Sequence, residues 1–418
     1  CAASRLKRPK YILVRPGRRS ATTQHYPPTS CAMAADFIEG NRLTLLHGGG
    51  EFFPALIAAI EDATTEIQLE TYIFEDDASG RPVVEAIKRA VARGVVARVL
   101  VDGFGAPAFS EHLQPELTAA GAQVMIYRQE LARFSLRRHR LRRLHRKLAA
   151  VDGHIAFVGG INIIDDMNQP GGRAPRYDYA VRIEGPLVAD VRLTMSRLWE
   201  IVIWAGLRRR YRIDRRSQPH PLAVGDESAR LVVRDNIRHR RDIEEAYLAA
   251  INAASDEVII ANAYFFPGFR FRRALRDAAH RGVRVSVLLQ GRVEYRLQHY
   301  ATQALYGTLL EAGVRIFEYQ PSFLHAKVAV ADGRWATVGS SNIDPFSLLL
   351  AKEANIVVRN PGFASRLRQS LMQAITESAE ELRPQDWRRI AWHSKLLRWA
   401  CYQLVRLAIG IAGYGGRH

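Results

Sequence analysis

Two short stretches of this sequence carry the same reactive side chains in the same order. LHRKLAAVDGHIAFVGGIN occupies positions 144–162, and LHAKVAVADGRWATVGSSN occupies 324–342. Each sets a histidine two residues before a lysine, then an Asp-Gly, then a small pair ahead of an asparagine. The first copy supplies His145, Lys147, Asp152, Gly160 and Asn162; the second supplies His325, Lys327, Asp332, Ser340 and Asn342. An imidazole can attack as a nucleophile or carry a proton near neutral pH. An ammonium group is a compact positive charge suited to an anion. Lysine is scarce here: of 60 basic residues only those at 7, 10, 88, 147, 327, 352 and 395 are lysine, and two of these follow the repeated histidine. A single His-x-Lys would be ordinary in an edge strand. Two copies in one register, offset from 145 to 325, point to an anion handled jointly by two histidines and two lysines.

The elements that position these residues repeat as well. Residues 62–102 and 253–291 each read as an apolar strand, an amphipathic helix (about 83–93 and 270–281) closed by Gly94 or Gly282, and a second apolar strand. Near-continuous apolar strands alternating with helices predict an α/β sheet covered on both faces. Asp-Gly between apolar runs predicts a tight hairpin at Asp152-Gly153 and at Asp332-Gly333. Alternation along the strand puts His145 with Lys147, and His325 with Lys327, on one face, and leaves both aspartates at the turns as anchors. A two-residue turn would set His145 opposite Gly160 and His325 opposite Ser340. Room would then open there for backbone amides to approach an anion. A helix-like segment near 190–206 and a basic, Pro-containing stretch at 207–221 place the boundary between repeats near 220.

Composition narrows the partners. The 418 residues carry a formal charge of +18 and are 48% hydrophobic. Nucleic acid, an anionic membrane and a phosphorylated substrate all suit that charge. Cys1, Cys31 and Cys401 form neither a disulfide framework nor a zinc pattern, which suits the cytoplasm. No uncharged apolar run reaches membrane-spanning length, and no signal-peptide core stands at the start. The basic residues before Met33 read as a disordered extension, or as sequence upstream of the natural start.

Both motif copies match the HxKxxxxD signature of the phospholipase D superfamily, and the chain resembles that family over roughly residues 40–385. Within it, ETYIFEDDASG (70–80), LVDGFGAP (100–107), DYAVRIEGP (178–186), ANAYFFPGFR (261–270) and ATVGSSNIDPFSLLLAKEANIVV (336–358) resemble bacterial cardiolipin synthases of the short B type. The resemblance implies an α/β fold of two pseudo-symmetric phospholipase D-like repeats. Each would be a mixed β-sheet flanked by helices, and the two would share one active site at their interface. The corresponding division is a disordered basic extension (1–40), repeat 1 (41–220), repeat 2 (221–385) and an amphipathic, membrane-associating C-terminal helix (386–418). Long members of the family begin with two membrane-spanning helices; none is seen here, so attachment is expected to come from elsewhere.

The resemblance also implies a chemistry. His145, Lys147, Asp152, His325, Lys327 and Asp332 form the catalytic set. One histidine attacks phosphorus to give a covalent intermediate; the other protonates the leaving oxygen and then deprotonates the incoming alcohol. By analogy His145 is the nucleophile, although the near-symmetric sequence does not itself decide this. Asn162, Asn342, Gly160 and Ser340 support the phosphate. The downstream carboxylates that hold the imidazoles are matched by Asp178, following His145, and by Glu353, following His325, with Asp178 standing where some members use Glu. No cofactor and no metal are expected. The implied reaction moves a phosphatidyl group from phosphatidylglycerol to a second phospholipid headgroup alcohol, with phosphatidylethanolamine a further lipid partner, at the cytoplasmic face of the bacterial inner membrane. One chain carries both half-sites, so no oligomer is required. The alternative is a phospholipase D-type hydrolase or a nuclease; nucleic acid is disfavoured because no recognisable binding module accompanies the basic runs.

Two further features bear on the membrane. Leu396, Leu397, Ala400, Cys401, Leu404, Ala408 and Ile411 share one helical face, with Lys395, Arg398 and Arg406 opposite. This predicts an interfacial helix on anionic lipid; packing against the protein itself is the other reading. The Arg-rich runs 133–143 and 207–216 could draw anionic lipid to the site, or be solvated loops.

Overall fold

The computed structural model describes residues 37–128, 143–168, 174–205, 222–235, 239–344 and 351–409. Phe37–His418 cluster as one unit. The Arg-rich runs, Arg143 excepted, and most of the expected N-terminal extension lie outside the described residues, as does Ile411.

Repeat 1 contributes β1 (Ile38–His47), β2 (Glu66–Thr71), β3 (Val96–Asp102), β4 (Gln123–Tyr127), β5 (Lys147–Val151), β6 (Ile155–Gly159) and β7 (Tyr179–Glu184). Repeat 2 contributes β8 (Glu227–Arg234), β9 (Glu257–Asn262), β10 (Arg284–Gln290), β11 (Arg315–Tyr319), β12 (Lys327–Ala331), β13 (Trp335–Gly339), β14 (Glu353–Arg359) and a short β15 (Ala379–Glu381). The strands join in the order β15-β11-β10-β9-β12-β13-β14-β8-β1-β7-β6-β5-β2-β3-β4. This order reads as a palindrome about the β1–β8 pair, with β15 added at one edge. Within each half β2-β3-β4 and β9-β10-β11 run parallel, and the remaining neighbours run antiparallel. Each repeat is therefore a mixed sheet. β1 starts at Ile38, inside the stretch expected to be an extension, because it pairs with both β7 and β8.

The crossover helices follow their apolar spacing. In Gly80–Ala92, Val83, Val84, Ile87 and Ala90 are fully buried; in Phe269–His280, Phe271, Ala274, Leu275 and Ala278 are buried. Gly94 and Gly282 end these helices at φ 95° and 91°, where a side chain would be strained. Inward residues of both halves share one central core. Leu148, Ala156 and Val158 pack in it with Val328, Ala336 and Val338, and the helices Val188–Ala205 and Pro361–Ser378 cover it. Separating the repeats would expose this core, so they form one folding unit.

The hairpins differ from expectation by one residue. Asp152 (φ 52°) and Gly153 (φ 69°) form the turn, but pairing resumes at Val151–Ile155, so His154 also lies in the loop. The second copy repeats this, with Asp332 at φ 50°, Gly333 at φ 60° and pairing at Ala331–Trp335. The reason is the neighbouring strand. The Asp152 carboxylate accepts the backbone N–H groups of Thr64, Thr65 and Glu66 at 2.8–2.9 Å and both threonine hydroxyls at 2.7–2.8 Å. Asp332 does the same for Ser255, Asp256 and Glu257. The aspartates thus bolt each hairpin to the next strand, at the end of β5 or β12 remote from the histidine.

Candidate active site

Each histidine stands just ahead of β5 or β12, in a segment that leaves its own sheet and pairs with the other repeat. The His145 N–H donates to the Lys352 carbonyl (3.0 Å), and the Lys352 N–H to the Arg143 carbonyl (2.8 Å). Symmetrically, the His325 N–H donates to the Tyr177 carbonyl (2.8 Å), and the Tyr177 N–H to the Phe323 carbonyl (3.0 Å). Asp102 and Gln290, at the ends of β3 and β10, accept the N–H of the residue before each histidine, Leu144 (2.8 Å) and Leu324 (2.9 Å). These bonds set each histidine beside the carboxylate that follows its cross-repeat partner.

This corrects the expected pairing of each histidine with the carboxylate downstream of it: the cross-repeat bonds exchange the carboxylates between repeats. His145 Nδ1 lies 3.0 and 3.1 Å from the two Glu353 oxygens, and His325 Nδ1 lies 2.5 Å from Asp178 Oδ2. A carboxylate can only accept from Nδ1–H, which leaves Nε2 of each ring as the reactive atom, free to attack or to carry a proton. Glu353 is fully buried and also accepts the Ser340 hydroxyl at 2.6 Å. Asp178 is buried, and its carboxyl is pushed up to about 6, first by burial. A Cβ on Gly160 would come within 2.3 Å of Asp178 Oδ1, so only glycine leaves that carboxylate its place.

This corrects the anion-binding reading of Gly160 and Ser340. Pairing places Lys147 opposite Gly159, and the second hairpin keeps the same register, with Val328 opposite Val338. The Gly160 N–H donates to the Tyr179 carbonyl (2.9 Å), and the Ser340 N–H to the Ala354 carbonyl (3.0 Å). Both amides are spent on the ladder; these positions serve the carboxylates instead. Asn162 is buried, and its side-chain carbonyl accepts the Ile73 N–H at 3.3 Å; Asn342 is buried at the equivalent place.

The lysines lie beneath the imidazoles. Lys147 Nζ donates to the His145 carbonyl at 2.8 Å, and Lys327 Nζ donates to the His325 carbonyl. Lys327 Nζ also lies 2.8 Å from His325 Nδ1 and 3.7 Å from Asp178 Oδ2. Burial brings Lys147 down to about 7 and Lys327 to about 8, against the pull of Glu353 and Asp178. Burial likewise lowers His145 and, further, His325, to which the two ammonium groups and His145 itself contribute. The four groups thus sit within electrostatic reach of one another, and burial favours the neutral form of each ring.

Both imidazoles open onto one cavity of about 360 Å³, lined from repeat 1 by Tyr72, Arg143, Asn162, Asp166, Arg176 and Asp178, and from repeat 2 by Tyr264, Glu294, Tyr295, Gln298 and Phe323. Tyr72 packs edge-on to His145, ring centres 4.9 Å apart, and Lys147 Nζ lies 5.4 Å from its centroid. Between His145 and Lys147, Arg146 makes a buried bidentate pair with Glu70 at 2.9 and 3.0 Å. The sequence motif does not mark Tyr72, Asp166, Arg176 or Glu294; their only signal is adjacency to the repeated strands.

The C-terminal helix, Trp392–Ile409, packs on the helix Arg296–Gln303 through Cys401, Tyr402 and Val405, which meet Phe266, Ala301 and Leu305. Cys401, grouped with the outward apolar face, therefore points inward, and Arg398, placed on the solvent face, bonds Gln303 at 2.9 Å. Trp392, Leu396, Leu397, Trp399, Leu404 and Leu407 remain exposed. Among the described residues no helix is long and apolar enough to cross a membrane.

Known proteins share this arrangement. The family model described as "Cardiolipin synthase, PLD-like domain" matches residues 56–199 and 247–375, one match in each repeat. The chain is 40% identical over 359 residues to Cardiolipin synthase B of Shigella flexneri, covering 84% of either chain. It is 32% identical over 342 residues to Cardiolipin synthase A of Erwinia tasmaniensis, covering 79% of this chain and 68% of that one. The crystal structure of phosphatidylserine synthase from Haemophilus influenzae superposes with a TM-score of 0.65 at 14% identity, over 89% of this chain and 95% of that chain, a likeness of fold. With both family matches spanning the two motif copies, this chain is a member of the cardiolipin synthase, phospholipase D-like family, on the side of its B-type members.

Proposed function

We propose that this chain is a cardiolipin synthase that transfers a phosphatidyl group from phosphatidylglycerol to the headgroup alcohol of a second phospholipid. The observation that carries the reading is the pair of imidazoles, each held at Nδ1 by a buried carboxylate from the other repeat, opening onto one cavity. A phosphodiester resists attack because its charge repels nucleophiles and its alkoxide leaves poorly. His145 Nε2 attacks phosphorus while His325, which enters the step protonated at Nε2 as an imidazolium paired with Asp178, gives that proton to the departing glycerol oxygen. The P–O bond breaks, and a phosphatidyl-histidine forms. His325, now the base, takes the proton of the acceptor alcohol; its oxygen bonds phosphorus and the P–N bond breaks. Lys147 and Lys327 offset the phosphate charge from below, and Asn162 supports it from the cavity wall, with Asn342 buried at the equivalent place in the second repeat.

The protein works from the membrane surface, on its cytoplasmic face. Supporting this are the exposed Trp and Leu residues of Trp392–Ile409 beside Lys395 and Arg406. That helix is seated on Arg296–Gln303, whose Gln298 lines the cavity, and Val293, Tyr295 and Leu297 are exposed next to it. Purified protein incubated with phosphatidylglycerol vesicles, with and without phosphatidylethanolamine, tests the reading by lipid mass spectrometry. Cardiolipin and glycerol that vanish in His145→Ala support it. Phosphatidic acid alone indicates a phospholipase, and an inert lipid pool overturns the reading.

A further inference from the structure

The reactive centre is nearly symmetric, but the cavity above it is not. Glu294 lies four residues beyond Gln290, and the residue four beyond the equivalent Asp102 is Ala106. Asp166 lies four residues beyond Asn162; its counterpart in sequence beyond Asn342 is Phe346. Asp178 and Glu353 are accounted for by the imidazoles. Asp166 and Glu294 are two further carboxylates lining the same cavity, and neither touches a histidine in any bond described above.

Both lie within electrostatic reach of the reacting groups. Glu294 acts electrostatically on Lys327, and Asp178 on Asp166. Each is held in place: the Tyr264 hydroxyl donates to Glu294 Oε2, and the Gly49 N–H donates to Asp166 Oδ2 at 2.5 Å. A carboxylate offers about four acceptor positions, so the Tyr264 bond leaves Glu294 on the exposed rim capacity for a ligand, while Asp166 is also drawn by Arg176 on the same cavity wall. A cavity that must accept a phosphodiester anion is weakened for that task by extra negative charge. Carboxylates are compatible with it where the bound molecule presents hydrogen-bond donors, as a polyol or an ammonium headgroup does.

We propose that Glu294 and Asp166 form the acceptor subsite and select headgroups rich in hydrogen-bond donors. This rests on the transferase reading. In the second step the acceptor oxygen bonds phosphorus, the P–N electron pair returns to the histidine ring, and the acceptor proton passes to the other imidazole. Carboxylates that grip a second hydroxyl or an ammonium of the acceptor orient its reacting oxygen at that moment. Water and simple alcohols, which lack the second donor group, gain nothing from them.

The test is phosphatidyl transfer from phosphatidylglycerol vesicles to soluble acceptors in competition: glycerol, ethanolamine and n-propanol. The full chain, Glu294→Gln and Asp166→Asn are compared. The preference of the full chain for glycerol or ethanolamine over n-propanol is expected to fall about tenfold in each variant. A neutral amide still accepts from a hydroxyl, so a larger loss for ethanolamine identifies an ammonium site, and a matching loss for glycerol a polyol site. An unchanged preference in both variants overturns the assignment. Glu294 is on the exposed rim, so its substitution spares the fold if Asp166→Asn does not. Should the full chain transfer to no alcohol at all, the transferase reading itself fails; transfer with preferences insensitive to both changes removes only the acceptor subsite.

Discussion

The exchange of carboxylates between repeats makes Glu353→Gln a sharp perturbation. Glu353 belongs by sequence to the second motif but serves the histidine of the first, through oxygens 3.0 and 3.1 Å from His145 Nδ1. A hydrogen bond to a charged partner contributes about 1.5–3 kcal/mol. If the imidazolium that forms during attack relies on that carboxylate, its loss slows attack by about 10- to 150-fold at about 1.4 kcal/mol per decade. Asp178→Asn should weaken His325 by a similar factor, but as a proton donor. An activated substrate separates the two. A p-nitrophenyl phosphodiester releases a leaving group that needs no proton, so its first step should recover in Asp178→Asn and remain slow in Glu353→Gln. Release of nitrophenolate gives the rate, and mass spectrometry of acid-quenched protein locates the adduct. Recovery in Glu353→Gln and none in Asp178→Asn would show His325 to be the nucleophile. Effects below about threefold in both variants would refute the role given to the carboxylates.

Other expectations follow from the same geometry. Asp152→Ala removes five hydrogen bonds at the hairpin turn and should cost about 3 kcal/mol in denaturant unfolding, while turnover per folded molecule is retained, as befits an anchor distant from the histidines. Lys147 and Lys327 lose their protons near pH 7 and 8 in the free protein. kcat/KM should therefore begin to fall above about pH 7 and fall more steeply above about pH 8, and not near 10, whereas kcat is less affected because the bound phosphodiester anion stabilises both ammonium groups. The same depressed values mean that the unfolded chain binds more protons between about pH 7 and 10.5, so folding stability should rise with pH across that window, as read by denaturation at fixed ionic strength. Replacing Trp392, Leu396 and Trp399 together by serine removes three exposed apolar side chains worth about 1 kcal/mol each at an interface. Sedimentation with anionic vesicles should then show binding about 100-fold weaker.

Much of this protein is legible along the chain. The motif copies, the strand–helix–strand units and the two hairpins are local patterns, set by apolar periodicity and by residues such as Gly94 and Gly282 that tolerate left-handed backbone. The anchoring role of Asp152 and Asp332 also followed from strand alternation. Three matters did not, because each depends on groups far apart in sequence. The hairpin register shifted by one residue because Asp152 is bonded to β2, some 86 to 88 positions earlier. Gly160 and Ser340 therefore gave up their expected phosphate role and became space and support for Asp178 and Glu353. The C-terminal helix divides its faces between Arg296–Gln303 and solvent in a way no helical wheel specifies. The pairing of imidazoles with carboxylates is the clearest case. Order along the chain suggests Asp178 for His145 and Glu353 for His325, the opposite of what the structure shows. The choice was made by four backbone hydrogen bonds that cross between the repeats and bring Arg143–His145 to Lys352, and Phe323–His325 to Tyr177. Only when the two halves close on their common core do those segments become neighbours, and with them the two halves of the site.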